Sequence, residues 1–441
     1  TASTQSAETT YTRWGNLLGA LRLEGQHGVF QHEITGSFVR TFTDTKLAAS
    51  TLDNVIRDGT VRYDAALTWS RTRLQVGGQA KRRTFDHGWS STDREELVGV
   101  LYGGFEAEGD RFSMPLAWRR DVTRTLLAGH ATVEQRLLGD RLTLRGGLRV
   151  DGLWGGRAVW QPRVRATVQA TSALHMHASA GRYAQYVATG YEGQEFNVTE
   201  PLLPLDRPQT AWTYTTGMTA DFGERYRLRA VAYARAMDRF PRLHEGREDG
   251  TDANALPFHY GTAEAYGLDL LAEKSRGWIT GQLAYSFGHV RTEFSDDHFP
   301  PSWSIPHSLR ATLGLRLGKW SIQTSGHVHS GLPYTPSIGR IKGIDELKGD
   351  LFDRHLLGDR NSERLPAYAR VDLALRRTYE AKWFDWELYV QALNLLSRRN
   401  ILRINPSELY SFGLNDTGGG EQQGAQRSLP IIPTVGVEFT F

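Results

Sequence analysis

Strict alternation of apolar and polar residues is the dominant pattern of this chain, and it is clearest between Arg141 and Tyr186. There, Leu142, Leu144, Leu148 and Val150 alternate with Thr143, Arg145, Arg149 and Asp151. A period of two places the apolar and polar side chains on opposite faces of a β-strand. The alternating runs span about 12 to 14 residues, whereas strands of globular proteins usually have five or six. This length suits tilted strands that cross a bilayer.

The same pattern recurs along the chain, with short turns alternating with longer connections. We predict roughly 19 strands, which include Tyr11–Glu24, Phe30–Thr43, Val61–Arg73, Leu74–Phe85, Glu96–Ala107, Arg111–Trp118, Arg124–Leu137, Thr210–Phe222, Tyr260–Lys274, His307–Leu317, Trp320–Ser330, Tyr368–Tyr379 and Thr434–Phe441. The polar stretch Asp44–Thr60 is predicted to be a connection, and Gly331–Pro366 the longest one. Short turns on one side and long loops on the other are the plan of outer-membrane barrels. The sequence therefore predicts an all-β, transmembrane antiparallel β-barrel over residues 1–441.

The faces of these strands predict their surroundings. On His307–Leu317 the apolar residues Leu309, Leu313 and Leu317 are expected to meet lipid, while Arg310 and Thr312 face the lumen. In hydrocarbon every backbone polar group needs an internal partner, so a spanning sheet must close. An odd strand count puts the two chain ends on opposite sides of the membrane. A single-chain bacterial barrel does not do this, so either the strands are miscounted or the first strands are missing. The second explanation is favoured, because Tyr11–Glu24 ends in a short turn and would therefore run inward from the outer side.

Composition excludes several classes of protein. Hydrophobic residues make up 39% of the chain and the mean hydropathy is −0.45. No run of 18 apolar residues occurs, so no transmembrane helix is predicted. The 52 basic and 49 acidic residues leave a net charge of +3, too small to indicate nucleic acid as a partner. The absence of Cys excludes disulfides and thiolate sites. The polar segment Thr1–Thr10 lacks a signal-peptide core, so we expect a processed or truncated start.

The last strand carries a second signal. Val435, Val437, Phe439 and Phe441 share one face, and the chain ends on Phe441. An alternating strand that ends on Phe resembles the C-terminal signature by which the barrel assembly machinery recognises outer-membrane barrels. The resemblance implies that Phe439 and Phe441 form the assembly signal. The alternative is an ordinary amphipathic edge strand.

Several motifs, in order and spacing, resemble the barrel part of TonB-dependent outer-membrane receptors. They are Leu144–Asp151 (LRGGLRVD), Gln161-Pro162-Arg163, Ala180–Gln185 (AGRYAQ), Ala263–Leu271 (AEAYGLDLL), Ser330–Pro336 (SGLPYTP), Asn361–Leu373 and Gln391–Leu395. The similarity covers residues 120 to 441. One departure is Arg207-Pro208-Gln209-Thr210, where the family often has Pro-Glu.

The resemblance implies a barrel of about 22 strands, an N-terminal plug and a box that pairs with TonB. Because neither the plug nor the box is in this sequence, coupling to the TonB complex is expected through a missing N-terminal part. The implied function is import of a scarce nutrient across the outer membrane. A siderophore, cobalamin, a glycan and a peptide all stay open as substrates. Outer-membrane lipid is the expected surrounding, and a surface lipoprotein or other envelope subunits are further candidate partners.

Aromatic and acidic residues of the long outer loops are the ligand-binding candidates: Tyr191, Glu192, Glu195, Phe196, Phe299, Trp303 and Tyr334. The alternative for each aromatic residue is packing within a loop or a place in the outer aromatic girdle. Two His-x-His pairs, His175 with His177 and His327 with His329, have the spacing to chelate a metal. Polar strands yield such pairs by chance, so they are weak candidates and no metal or other cofactor is predicted.

No enzyme motif emerges from the sequence. It has no nucleophile elbow, no phosphate loop and no metalloprotease helix. Two alternatives to the importer stay open. One is a plugless passive porin or a structural barrel within a larger envelope assembly. The other is a soluble β-repeat protein such as a propeller, which predicts short strands and a regular repeat that the chain lacks.

Overall fold

The computed structural model describes residues 11–47, 50–91, 117–189, 202–243, 258–295, 297–344, 351–404 and 425–440. The strands in these ranges are β1 (Tyr11–His27), β2 (Phe30–Leu47), β3 (Ser50–Trp69), β4 (Thr72–Ser91), β5 (Ala117–Leu137), β6 (Leu142–Leu153), β7 (Val159–Gln169), β8 (Leu174–Thr189), β9 (Leu202–Phe222), β10 (Tyr226–Leu243), β11 (Phe258–Lys274), β12 (Ile279–Phe294), β13 (Asp297–Phe299), β14 (His307–Leu317), β15 (Trp320–His329), β16 (Pro333–Tyr334), β17 (Ser337–Ile344), β18 (Leu351–Leu357), β19 (Glu363–Arg364), β20 (Tyr368–Glu380), β21 (Asp385–Leu393), β22 (Ile401–Ile404), β23 (Ala425–Arg427) and β24 (Ile432–Thr440). Within these ranges, no helix has the length and apolar character needed to cross a membrane.

One antiparallel sheet of 18 strands contains β1 to β15, β20, β21 and β24. Consecutive strands pair from β1 to β12, and the short β13 folds back on β12 so that β12 also pairs with β14. Beyond that point β14 pairs with β15, β15 with β20, β20 with β21 and β21 with β24. The remaining strands form three small pairs, β16–β19, β17–β18 and β22–β23, within the long connections. This up-and-down arrangement confirms the predicted antiparallel transmembrane β-barrel class, and the strand number is close to the expected 19.

The two faces of the sheet separate cleanly by polarity. Directly paired residues of neighbouring strands project to the same face. One row across β2–β7 is Ile34, Tyr63, Gly78, Gly129, Val150 and Trp160, and the adjacent row is Glu33, Asp64, Gly77, His130, Arg149 and Gln161. On β14, Leu309, Leu313 and Leu317 are exposed on the apolar face. The apolar face is the lipid side and the polar face is the lumen wall, as the alternation predicted.

Aromatic residues mark the edge of the apolar face near the short turns. Trp278, Trp320 and Trp383 are exposed there. Tyr379 and Trp386 stack on each other with ring centroids 4.0 Å apart. Amphipathic rings favour the boundary between hydrocarbon and water, so this belt marks the inner interface of the membrane.

The strands on the long-loop side extend further than the pattern predicted. β2 continues to Leu47 and β3 begins at Ser50, so the predicted connection Asp44–Thr60 is wrong. The pairing is continuous from Phe30↔Leu67 to Leu47↔Ser50. Above the membrane both faces of a strand meet water, so the sequence there needs no apolar alternation. The strand is defined only by its backbone hydrogen bonds, which the residue pattern does not reveal.

The region between β4 and β5 also differs from the prediction. Glu96–Ala107 and nearly all of Arg111–Trp118 lie outside the described residues. β4 and β5 pair directly from Thr72↔Gln135 to Ser90↔Ala117, so no other strand separates them in the sheet. In the described residues, β1 pairs only with β2, and β24 pairs only with β21.

Candidate functional site

The lumen wall carries charged side chains that are paired with one another. Asp58 is buried and accepts a 2.8 Å hydrogen bond from Nε of Arg83, while Nζ of Lys81 lies 3.5 Å away. These residues come from β3 and β4, on the polar face that the strand alternation creates. A buried carboxylate needs such partners, since an unpaired buried charge is strongly unfavourable.

A second network continues the wall toward β6 and β8. Asp64 pairs with Arg62, and Nε2 of His130 lies 3.3 Å from its Oδ1. Asp151 accepts hydrogen bonds from Arg149 Nε at 2.9 Å and from the Tyr186 hydroxyl at 2.8 Å. With charges of both signs in contact, the wall offers a hydrated surface without a dominant sign.

An aromatic and basic cluster lies at the outer ends of β10 and β12. Phe294 stacks on Phe299 at 5.9 Å and meets Phe240 edge-on at 6.2 Å. The guanidinium of Arg242 lies 4.7 Å from the Phe294 ring centroid, and that of Arg360 lies 5.0 Å from the Phe299 ring. Cation–π contacts of this kind fix cationic side chains over aromatic faces.

Phe299, a predicted ligand contact, is at the centre of this cluster and only 2% exposed. Its carbonyl accepts a 2.7 Å hydrogen bond from the Thr292 hydroxyl, which holds β13 against β12. The burial favours the alternative that Phe299 packs the loop. The ring is out of reach of a ligand in this structure.

Trp303 and Tyr334 lie in neighbouring loops that Arg364 joins together. Arg364 Nη1 donates to the carbonyls of Ser304 at 2.9 Å and Gly331 at 3.0 Å. Burial lowers the pKa of Arg364, and burial together with Glu363 raises the pKa of Tyr334. Trp303 is 49% exposed, so its ring remains available to a ligand.

Asn361 is a second link between these loops. Its Nδ2 donates to the Pro300 carbonyl at 2.8 Å, and its backbone N–H donates to the Thr335 hydroxyl at 3.1 Å. Asn361 adopts a φ of 52°, a left-handed conformation that Asn tolerates better than most residues. The sequence analysis noted Asn361 and Arg364 only as part of the family motif Asn361–Leu373, and it did not predict that they join these loops.

The histidine pairs differ in their surroundings. His327 and His329 have ring centroids 4.9 Å apart, and His329 stacks on Tyr368 at 4.7 Å. Arg310 Nε lies 3.4 Å from Nε2 of His327, and a cation there opposes metal binding. His175 and His177 face the lumen on β8, where they pair with Thr219 and Gly217 of β9. In the part of the chain that the structure describes, no group of three His, Cys, Asp or Glu could hold a metal ion.

The remaining ligand-binding candidates, Tyr191, Glu192, Glu195 and Phe196, lie outside the described residues. Phe441 also lies outside them. Phe439 lies on β24, is exposed on the lipid side, and has its ring 5.8 Å from that of Phe384.

Comparison with known proteins gives a consistent result. A family model described as "TonB dependent receptor-like, beta-barrel" matches residues 2–395. None of the curated proteins matches the sequence. Among solved structures, the pyoverdine outer membrane receptor FpvA from Pseudomonas aeruginosa PAO1 is 12% identical with a TM-score of 0.64, over 98% of this chain and 62% of the receptor chain.

Two further solved structures are similar to the same extent. The ferric-catecholate import receptor Fiu from K12 E. coli is 12% identical with a TM-score of 0.63, over 98% of this chain and 64% of that one. The ferric yersiniabactin uptake receptor FyuA from Yersinia pestis is 12% identical with a TM-score of 0.60, over 98% of this chain and 61% of the receptor chain. This chain therefore spans less than two thirds of the length of each of them, and the likeness establishes a shared fold.

Proposed function

This chain belongs to the TonB-dependent receptor β-barrel family, and from that premise we propose that it imports a scarce iron chelate across the outer membrane. The observation that carries the proposal is the family match over residues 2–395 of a chain whose sheet has an apolar lipid face and a polar lumen wall. A chelate too dilute or too large for a porin requires a receptor that binds it at the outer surface.

The choice of an iron chelate is supported by the similar solved structures, which are a pyoverdine receptor, a ferric-catecholate import receptor and a ferric yersiniabactin uptake receptor. The outer surface of this chain offers compatible chemistry. Trp303 provides an exposed ring, Tyr334 a half-buried one, and Arg360 a nearby guanidinium. Aromatic chelators stack on such rings, and anionic chelators pair with Arg.

Transport by a whole receptor requires energy, which we propose arrives through TonB. The plug and the TonB box that the family resemblance implies stay predictions, and the intact mass of the protein extracted from native membranes tests them. Residence in the outer membrane, assembly by the barrel assembly machinery and contact with a surface lipoprotein belong to the same proposal.

Uptake of radioactive iron tests this function. An iron-starved Gram-negative strain that lacks its own receptors would express the protein from its complete gene. It would be supplied with iron bound to catecholate, hydroxamate or citrate chelators, and with cobalamin in parallel. We expect uptake of at least one chelate, which a matched strain without TonB loses. Equal uptake in both strains would instead indicate a passive pore.

A pair of variants locates the binding surface. Trp303→Ala should raise the concentration of chelate needed for half-maximal uptake several-fold, because its ring is exposed in the outer loop. Trp278→Ala is the matched control, since Trp278 is also an exposed tryptophan but lies at the inner interface. An unchanged half-maximal concentration in Trp303→Ala would exclude this loop from the binding surface.

A further inference from the structure

The sheet opens between β7 and β8 at its outer end. The pairing of these strands stops at Arg163↔Gly181, although β7 begins further out at Val159 and β8 continues to Thr189. One backbone group in the gap is satisfied by a side chain, since Ala184 N–H donates to Gln161 Oε1 at 3.2 Å. The gap holds a cavity of about 540 Å³.

Four arginines line this cavity, and none of the described residues that line it is acidic. Arg157 comes from the β6–β7 connection, Arg182 from β8, Arg207 from β9 and Arg239 from β10. Among the described residues, the only carboxylate within ion-pair distance of these four is Asp238, 3.7 Å from Arg239. Like charges held in one cavity repel one another, so the arrangement favours an anion that binds between them.

The backbone of Arg239, which lines the cavity, is held in an unfavourable local conformation. It lies at a β-bulge between Asp238 and Phe240 and has a φ of 56°. A left-handed φ is costly for a residue other than Gly, and it persists only where the surroundings hold it. Its Nε is buried without a hydrogen-bond partner. The nearest carboxylate oxygen to this Nε, Oδ2 of Asp238, lies 3.7 Å away, which is beyond hydrogen-bond distance, so the donor is left for an acceptor bound in the cavity.

The position of Trp160 gives the height of the cavity in the membrane. Trp160 lines the cavity and is 58% exposed on the lipid side, where Val164 and Val168 of β7 follow it. Trp160 is nine residues from Gln169, the inner end of β7. At about 3.3 Å per residue and a tilt of about 40°, this is about 23 Å, which is close to the height of the apolar band. The cavity therefore lies at the level of the outer lipid headgroups.

We propose that this arginine cavity binds a phosphate group. A carboxylate is saturated by one or two guanidiniums, whereas a phosphate has more oxygens and more charge to share among several. The inference goes beyond the proposed import function, because the cavity opens in the barrel wall beside lipid. The phosphate could come from the headgroup of an outer-leaflet lipid or from free phosphate in solution, and the experiment separates the two.

Binding is measured with the purified full protein in a neutral detergent. One arm adds diphosphoryl lipid A and counts bound molecules by native mass spectrometry; the other titrates inorganic phosphate by calorimetry. The double variant Arg182→Gln/Arg239→Gln removes two of the four guanidiniums. The control Arg165→Gln/Arg235→Gln removes the same charge from β7 and β10 outside the cavity.

We expect the cavity variant to bind roughly tenfold more weakly or worse, and the control to bind like the native protein. A loss in the lipid arm alone identifies a headgroup as the source, and a loss in both arms identifies any phosphate. Equal binding by both variants in both arms overturns the proposal. If the double variant does not fold, Arg207→Gln is used, because Arg207 is exposed. The assay needs no transport, so its failure and the failure of the import proposal are separate outcomes.

Discussion

Gly331 shows how a single position can depend on a segment far away in the chain. A Cβ built on Gly331 would lie 1.6 Å from the carbonyl oxygen of Leu365. The two segments are joined by a 2.9 Å backbone hydrogen bond from Leu365 to Leu332. Because backbone cannot move aside as a flexible side chain does, only glycine fits here. The sequence places Gly331 in the family motif Ser330–Pro336, but it does not predict this contact with Leu365.

Gly331→Ala is expected to loosen the two neighbouring loops that carry Trp303 and Tyr334, at a cost of about 1–3 kcal/mol. Limited proteolysis of the detergent-solubilised protein measures this as faster cleavage between residues 331 and 366. Gly326→Ala on β15 is the control, because a Cβ there meets nothing within 4 Å. Equal cleavage rates for the two variants would contradict the role of the close contact.

Asp53 gives a pH-dependent prediction at the same scale. Burial raises the pKa of Asp53, and so do the negative charges of Asp44, which faces it on β2, and of Asp86. The positive charge of Arg119 has the opposite, smaller effect. The folded state therefore holds this proton more tightly than the unfolded state. Stability falls as pH rises through the window between the two pKa values, and at neutral pH the ionised group is unfavourable.

Asp53→Asn should thus stabilise the protein at pH 7 by about a few tenths of a kcal/mol, since Asp53 is exposed and screened. The gain should vanish below pH about 4, where the carboxyl is protonated in both states. Urea unfolding midpoints at several pH values measure it. Asp359→Asn, which removes an exposed loop carboxylate, is the control. A gain that persists at low pH would contradict the electrostatic explanation.

At the scale of the element, the position of a residue along a strand decides whether its side chain faces lipid or the lumen. Leu313 and Thr312 are neighbours on β14, yet Leu313 is exposed on the lipid side while Thr312 pairs with Gln282 and Ser325 on the lumen wall. Hydrocarbon cannot solvate a charge, whereas the lumen can. Substitution by Arg is therefore expected to destabilise the barrel at Leu313 and to be tolerated at Thr312, one residue away.

Leu313→Arg should cost about 2–4 kcal/mol, the value for a charge near the bilayer midplane. Thr312→Arg should be tolerated. The measurement is the fraction of protein in the membrane that shows heat-modifiable migration on a gel, which reports a folded barrel. A loss of folded barrel in both variants, or in neither, would contradict this assignment of faces.

The last strand carries a further prediction at this scale. Phe439 is exposed on the lipid side of β24 and its ring lies near Phe384. If it belongs to the assembly signal, Phe439→Ala should lower the assembled fraction in cells but leave refolding of purified protein in detergent nearly unchanged. Thr434→Ala, on the lumen face of the same strand, is the control. Equal losses in cells and in detergent would indicate a packing role instead.

At the scale of the whole molecule, the exposed apolar surface is the informative feature. Leu17, Leu67, Val76, Val164 and Leu313 belong to a much larger set of exposed apolar residues on the described strands. A soluble protein rarely exposes an apolar surface of this extent. The chain should therefore leave the membrane fraction only with detergent and not with high salt or alkaline carbonate. Release by carbonate would revive the soluble β-repeat alternative.

The family identity and the two-faced character of the strands were predictable because both are local. Alternation with a period of two fixes which face of β14 or β24 meets lipid, whatever the neighbouring strands are. The positive-φ glycines of the short turns, such as Gly139 and Gly318, are equally local. The extensions of β2 and β3 were not predictable, since above the membrane a strand needs no apolar face.

The sequence by itself thus determined the antiparallel β-barrel class, the two faces of its strands and the family of this protein. Tertiary structure alone decided the contacts between distant segments: that Phe299 is buried, that Arg364 joins two loops, that Gly331 approaches Leu365, and that four arginines from three strands and one connection share one cavity. The physical reason is the distance along the chain between the residues that interact. A repeating pattern is set by each strand's own surroundings, whereas these contacts depend on the register of strands that lie tens of residues apart.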